Sequence, residues 1–101
     1  MARFGICAVR LDHGRQLVTA VRCRVLLPAP DGGVHAGTPF DAERLHVLNA
    51  LRRGDRVYTL HETDAGDAWR VGAEVTLERR DRREHLVTRD PTGVLLVLPP
   101  L

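Results

Sequence analysis

The chain contains no lysine and no serine. The first absence excludes a Schiff base on a lysine amine, and the second excludes a serine nucleophile. Isoleucine, asparagine and glutamine occur once each, as Ile6, Asn49 and Gln16. Aromatic residues are scarce, being only Phe4, Phe40, Tyr58 and Trp69. A core must therefore be assembled mainly from Val, Leu and Ala. A nucleic-acid groove with several stacking platforms cannot be built from so few rings. No apolar run approaches the roughly 18 residues of a membrane-spanning helix. Two cysteines, Cys7 and Cys23, are too few for a disulfide-dense scaffold. Arg3 and Arg10 interrupt the apolar start that a secretory signal would need, so a cytoplasmic protein with reduced thiols is expected.

What is present suits one small domain over residues 1–101. A domain of this size buries roughly two thirds of the surface its unfolded chain exposes, enough for a core without staples. The hydrophobic fraction of 44% argues against general disorder. All fifteen basic residues are arginine, as in a GC-rich coding sequence, and the net charge of +2 is too small to imply nucleic acid. Few large apolar anchors favour burial against another chain, so a protein partner or a dimer is expected.

Residues 3–11 and 16–27 are two β-forming runs around Asp12-His13-Gly14-Arg15, which reads as a hairpin. Residues 28–37, dense in Pro and Gly, read as the longest loop. Thr38 can cap a helix with Pro39 at its first position and Asp41 completing a capping box. Leu45, Leu48 and Leu51, with Val47, give that helix an apolar stripe. Arg52 and Arg53 suit its C-terminal dipole, and Gly54 suits its left-handed cap. Strands are then expected over residues 56–62, 69–78, 84–88 and 94–98. Their connections are a turn at residues 63–67, the charged turn Arg79-Arg80-Asp81-Arg82-Arg83 and a β-turn at residues 90–93. In the second of these strands Trp69, Val71, Ala73, Val75 and Leu77 should share one face. Over residues 3–88 the order is ββαβββ, with residues 94–98 as a further strand. Short connections favour antiparallel pairing, so the expected class is α+β, a single antiparallel sheet with one helix packed on one face.

A two-residue loop at His13-Gly14 would set Phe4 opposite Cys23 and Ile6 opposite Val21 on the core face. Cys7 would lie opposite Ala20 on the other face. The cysteines would then point apart and could share neither a disulfide nor a metal, whereas a three-residue loop would reverse this. The second face would carry Arg22 and Arg24, with Arg3 opposite Arg24. It reads either as a shallow anion site or as a solvated face whose arginines pair with Glu74 or Glu78. Arg79, Arg80, Arg82 and Arg83 likewise read as a phosphate grip or a solvated turn.

The histidines His13, His35, His46, His61 and His85 show no metal-ligand spacing, though His61 and His85 could approach from separate strands. No glycine-rich phosphate loop and no zinc-helix motif occurs. No cofactor and no metal are expected.

Ile6-Cys7-Ala8-Val9-Arg10 resembles the I-T-x-V-R opening of a widespread small bacterial family, the domain of unknown function numbered three-eight-nine-two. Val18-Thr19-Ala20-Val21, the segment from Leu48 to Gly54 and Val57-Tyr58 resemble the family's second strand, its helix ending in Gly and a strand containing an aromatic. His85-Leu86-Val87-Thr88, Asp90-Pro91-Thr92-Gly93 and residues 96–99 resemble its Y-L-x-T, turn and L-x-x-L-P close. His85 replaces the family's Tyr, and Val94-Leu95 replaces its D-N pair. The resemblance implies one small α+β unit and no particular activity.

The expected function is that of a non-catalytic protein-interaction module that self-associates, with the apolar run from Val94 either doubly buried or an interface edge. Nucleic-acid or anion binding through Arg22, Arg24 and the arginine turn is the alternative. An enzyme using Cys7 or a histidine cluster is the third reading.

Overall fold

The computed structural model describes residues 2–14, 17–30, 34–63, 68–89 and 94–101. Two long strands, β1 (Arg3–Leu11) and β2 (Val18–Pro28), pair antiparallel. The Asp12 N–H donates to Leu17 O at 2.9 Å, and Asp12 Oδ1 accepts the Leu17 N–H at 3.2 Å. Six residues, 12–17, therefore connect the strands, with four between the hydrogen-bonded Asp12 and Leu17 rather than two, and the Asp12 carboxylate closes this wider turn. The register moves accordingly: Ile6 faces Cys23 and Phe4 faces Val25. An irregularity between Ile6 and Ala8 leaves Cys7 as an extra residue. Such a bulge lets Ile6 and Val9, three apart, both enter the core.

The outer edge of β2 carries two short strands in succession. β3 (Val34–Ala36) pairs with Leu26, Leu27 and Pro28, and β4 (Phe40–Glu43) pairs with residues 20–23. The expected loop thus contains a strand, and the expected helix start is extended. Thr38, Pro39 and Asp41 carry helix-start chemistry, but the open edge of β2 satisfies the backbone there instead. The Phe40 ring also meets Phe4 edge-on at 6.2 Å between centroids.

The helix α1 (Arg44–Arg52) begins directly after β4 and buries Val47, Leu48 and Ala50. Leu45, expected in the apolar stripe, is 58% exposed. The C-terminus follows the expectation: Gly54 has φ +92°, its N–H donates to Leu51 O, and the Asp55 N–H donates to Ala50 O. These two bonds form a Schellman cap.

β5 (Arg56–Glu62) then runs parallel to β1, with residues 3–6 against 56–59. The sheet is therefore mixed, not purely antiparallel. The unit β4–α1–β5 is a crossover that carries the chain over β2 and β1 before it pairs again, which is how parallel neighbours are joined. β6 (Trp69–Arg80) and β7 (Arg83–Thr88) complete an antiparallel meander. Among the described residues the sheet has seven strands in the order β3–β2–β1–β5–β6–β7, with β4 beside β2. β3 approaches β6, so the sheet curls away from the helix.

The expected last strand is a turn of 3-10 helix over Val94–Val97. Leu95 and Leu98, three apart, are buried, while Leu96 and Val97 are exposed. That spacing is the 3-10 period rather than the strand period. The tail then docks on β1: the Val9 N–H donates to Pro99 O, and the Leu101 N–H donates to Val9 O. Of the turn expected at residues 63–67 all but Thr63 lies outside the described residues, as does the turn expected at 90–93.

The main core lies between the helix and the sheet. Ile6, Val9, Val21, Cys23, Val57, Val75 and Leu86 from the strands meet Val47 and Leu48 of α1, with Leu95 and Leu98 at one side. Each fully buried aliphatic side chain contributes about 1.5–3 kcal/mol.

One irregularity divides the expected row on β6. Val57 pairs with Val75 and Tyr58 with Glu74, but Leu60 pairs with Val71. Gly72 and Ala73 together oppose Thr59, so the facing reverses between them. Val75 and Leu77 pack in the main core, whereas Val71 and Trp69 turn to the reverse face with Leu60. Thr59 is fully buried, and its Oγ1 accepts the Ala73 N–H at 3.0 Å. The hydroxyl thus satisfies a backbone donor that the bulge would otherwise orphan.

Candidate functional site

The arginines expected to bind anions occupy very different surroundings. Arg22 forms an ion pair with Asp41, Nε to Oδ1 at 2.9 Å. The hydrogen bond and charge of each raise the Arg22 pKa and lower that of Asp41. Arg24 lies opposite Gly5, not Arg3. Its Nη1 donates to Gly37 O at 2.8 Å, and its guanidinium sits 4.8 Å from the centre of the Trp69 ring. It is a packing element of the reverse face, held by a carbonyl and a ring. Gly5 makes room for this arrangement, since a Cβ there would come within 2.9 Å of Leu60 Cβ.

The arginine turn is a tight hairpin in which Arg80 pairs with Arg83. Asp81 and Arg82 have φ of 49° and 67°, left-handed values that favour glycine. Arg80 is bound to Glu78 at 2.8 Å, which raises its pKa. Arg79, Arg82 and Arg83 make no hydrogen bond or ion pair among the described residues. Arg82 and Arg83 border an open groove of about 680 Å³ against the start of α1, where Arg44 and Leu48 line it. The sequence reading passed over Arg44, one arginine among fifteen.

The other end of the helix-covered face is bare. Nine helical residues span about 14 Å, whereas the eleven residues of β2 span about 36 Å. Beyond the helix, Val25 (36% exposed), Phe40 (41%) and Leu27 (53%) continue the core face into solvent. A cleft of about 170 Å³ opens between Phe40 and the helix, lined by Phe4, Cys23 and Val57 of the sheet and by His46, Val47, Ala50 and Arg53. Burial, chiefly, pushes the Cys23 thiol up to about 12, so it stays protonated and unreactive.

Metal and nucleophile chemistry find little support in the geometry. Among the described residues no three His, Cys, Asp or Glu side chains are grouped to hold an ion. His61 pairs across to Arg70 and His85 to Glu78. Eight residues of β6 therefore separate them, about 26 Å, and they cannot share a ligand. His61 Nε2 instead meets Thr59 Oγ1 at 2.9 Å, and burial followed by the charge of Arg70 lowers its pKa. Cys7 Sγ touches the Arg22 carbonyl at 3.5 Å. No described helix is long and apolar enough to cross a membrane.

No protein-family model matches the chain, and neither a curated protein nor a solved structure does so. The resemblance at the two ends of the chain rests on its short motifs alone.

Proposed function

We propose that this chain is a non-catalytic interaction module that self-associates through the uncovered end of its sheet. One observation carries the reading: Val25, Leu27 and Phe40 continue the face that elsewhere forms the core, and no helix covers them. An apolar surface continuous with a core is the kind of patch that marks an association site. The occupant is a second copy, whose own bare end offers the same rings and aliphatics for an isologous contact. This surface replaces the last apolar run as the interface, since that run is a 3-10 turn with Leu95 and Leu98 turned inward. A reducing compartment such as the cytoplasm suits its two free cysteines.

Light scattering across a wide concentration range tests the proposal. The expected result is a mass that rises to that of two chains, and a monomer for Phe40→Asp or Leu27→Asp with an unchanged circular dichroism spectrum. A wild-type mass that stays at one chain throughout would sink self-association.

Nucleic-acid binding is a second reading, favoured by Arg79, Arg82 and Arg83 on one hairpin, whose side chains have no partner among the described residues. Retention on generic duplex DNA that falls steeply with salt would support it.

A further inference from the structure

We propose that the groove between the start of α1 and the β6–β7 turn is a binding site for a small phosphate monoester carried on a hydroxylated frame, with Arg44 as its inner cation. The site is separate from the apolar end and shares no lining residue with it.

Three arginines line the groove, Arg44, Arg82 and Arg83. Arg44 Nη1 is shut off from solvent and has no hydrogen-bond partner among the described residues. A buried charged donor left unpaired is costly, and the groove is where a counter-charge can reach the rest of that guanidinium. Arg82 and Arg83 are exposed and make no ion pair among the described residues. Two carboxylates also line the groove, Glu43 and Glu84. Arg52 already engages Glu84 through its Nη2, whereas Glu43 has no side-chain partner among the described residues. The balance of charge therefore favours an anion, and Glu43 adds an acceptor for a ligand hydroxyl.

Two further features favour this ligand. Arg82 is held at the mouth by a left-handed backbone at Asp81 and Arg82 that glycine would adopt more cheaply. The first turn of α1 has no side-chain cap hydrogen bond and no acidic residue within it, so its N–H groups remain donors for an anion beside the N-cap residue Glu43. Leu45, Leu48 and Thr19 give the frame a surface to lie on. A doubly charged monoester suits three guanidiniums better than the singly charged phosphodiester of a nucleic acid.

Calorimetric titration of the full chain with ribose phosphate, inorganic phosphate and a short DNA duplex tests the site. Ribose phosphate should bind saturably and at least several-fold more tightly than inorganic phosphate. Arg44→Gln should weaken it by on the order of tenfold, the loss typical of one charge-assisted contact. Arg82→Gln, on an exposed turn where folding is not at stake, should weaken it several-fold. Arg79→Gln, outside the groove, should leave it unchanged. The proposal is overturned if neither small phosphate binds saturably. It is also overturned if Arg79→Gln and Arg82→Gln weaken binding equally, or if only the duplex binds, since either result means diffuse attraction of a polyanion. None of these outcomes depends on whether the chain self-associates.

Discussion

The two faces of the sheet are built on different terms. The helix-covered face is filled by many similar aliphatic side chains, from Ile6 and Val21 through Val57 and Val75 to Leu86. No one of them determines the arrangement. The reverse face carries a smaller and more mixed set, Leu26, Leu60, Val71, Trp69 and Arg24, with Gly5 as a gap. There the curl of the sheet and one close fit replace volume. The first face can absorb change by repacking, whereas the second depends on particular neighbours being present or absent. The bulge at Thr59 links them, because it decides which side chains of β6 go to which face.

The largest test of this contrast is Leu60→Ala. Leu60 is 1% exposed, under Trp69's side of the sheet and against Gly5. Its truncation should cost about 2–5 kcal/mol in urea unfolding. A loss below about 0.5 kcal/mol would show that the reverse face is only a surface, and the comparison would fail. Next is the bulge. Thr59→Val keeps the shape but leaves the partly buried Ala73 N–H without its acceptor, at a cost of about 1–3 kcal/mol. Trp69 fluorescence should shift to the red in that variant if the bulge aims the ring. An unchanged spectrum would mean that β6 is directed by its other contacts.

The smallest effect concerns pH. His61 has a pKa below its ordinary 6.5, through burial and the charge of Arg70. Its neutral form is thus favoured in the fold. The associated stability is full above 6.5 and is lost as the pH falls below that value through the folded pKa. Urea midpoints from neutral to mildly acidic pH should decline in the wild type. The decline should be shallower in His61→Gln, and an identical slope would assign the loss to other groups.

Much of the fold was legible where the signals are local. Gly54 marks the helix end because only a left-handed residue completes that cap, and β5 has the bounds that its β-branched run and flanking residues suggest. The parallel pairing of β1 and β5 was not legible, since short connections say nothing of a crossover that skips two strands. Thr38-Pro39-Asp41 misled because their capping chemistry is intrinsic, while the waiting edge of β2 is tertiary. The division of the Trp69 row did leave a trace. Gly72 sits inside an otherwise regular strand, which is a common mark of a bulge, and its absent side chain is required because a Cβ would meet Thr59 Oγ1 at 2.4 Å. The candidate sites were least visible. Arg22 and Arg24 read alike in the sequence, yet one pairs with Asp41 and the other stacks on Trp69. Arg44 became distinctive only once the helix began three residues after Asp41, rather than before it.

The parallel contact of β1 with β5 brings Arg3 beside Arg56, so it closes the widest loop of any strand pairing in the sheet. Closing so long a loop is entropically expensive before any contact rewards it. The β1–β2 hairpin and the β5–β6–β7 meander can each zip up from a nearby turn, whereas the join between them must wait for both. By loop closure alone, the middle of the sheet, although central in space, is expected to join later than the two flanking units.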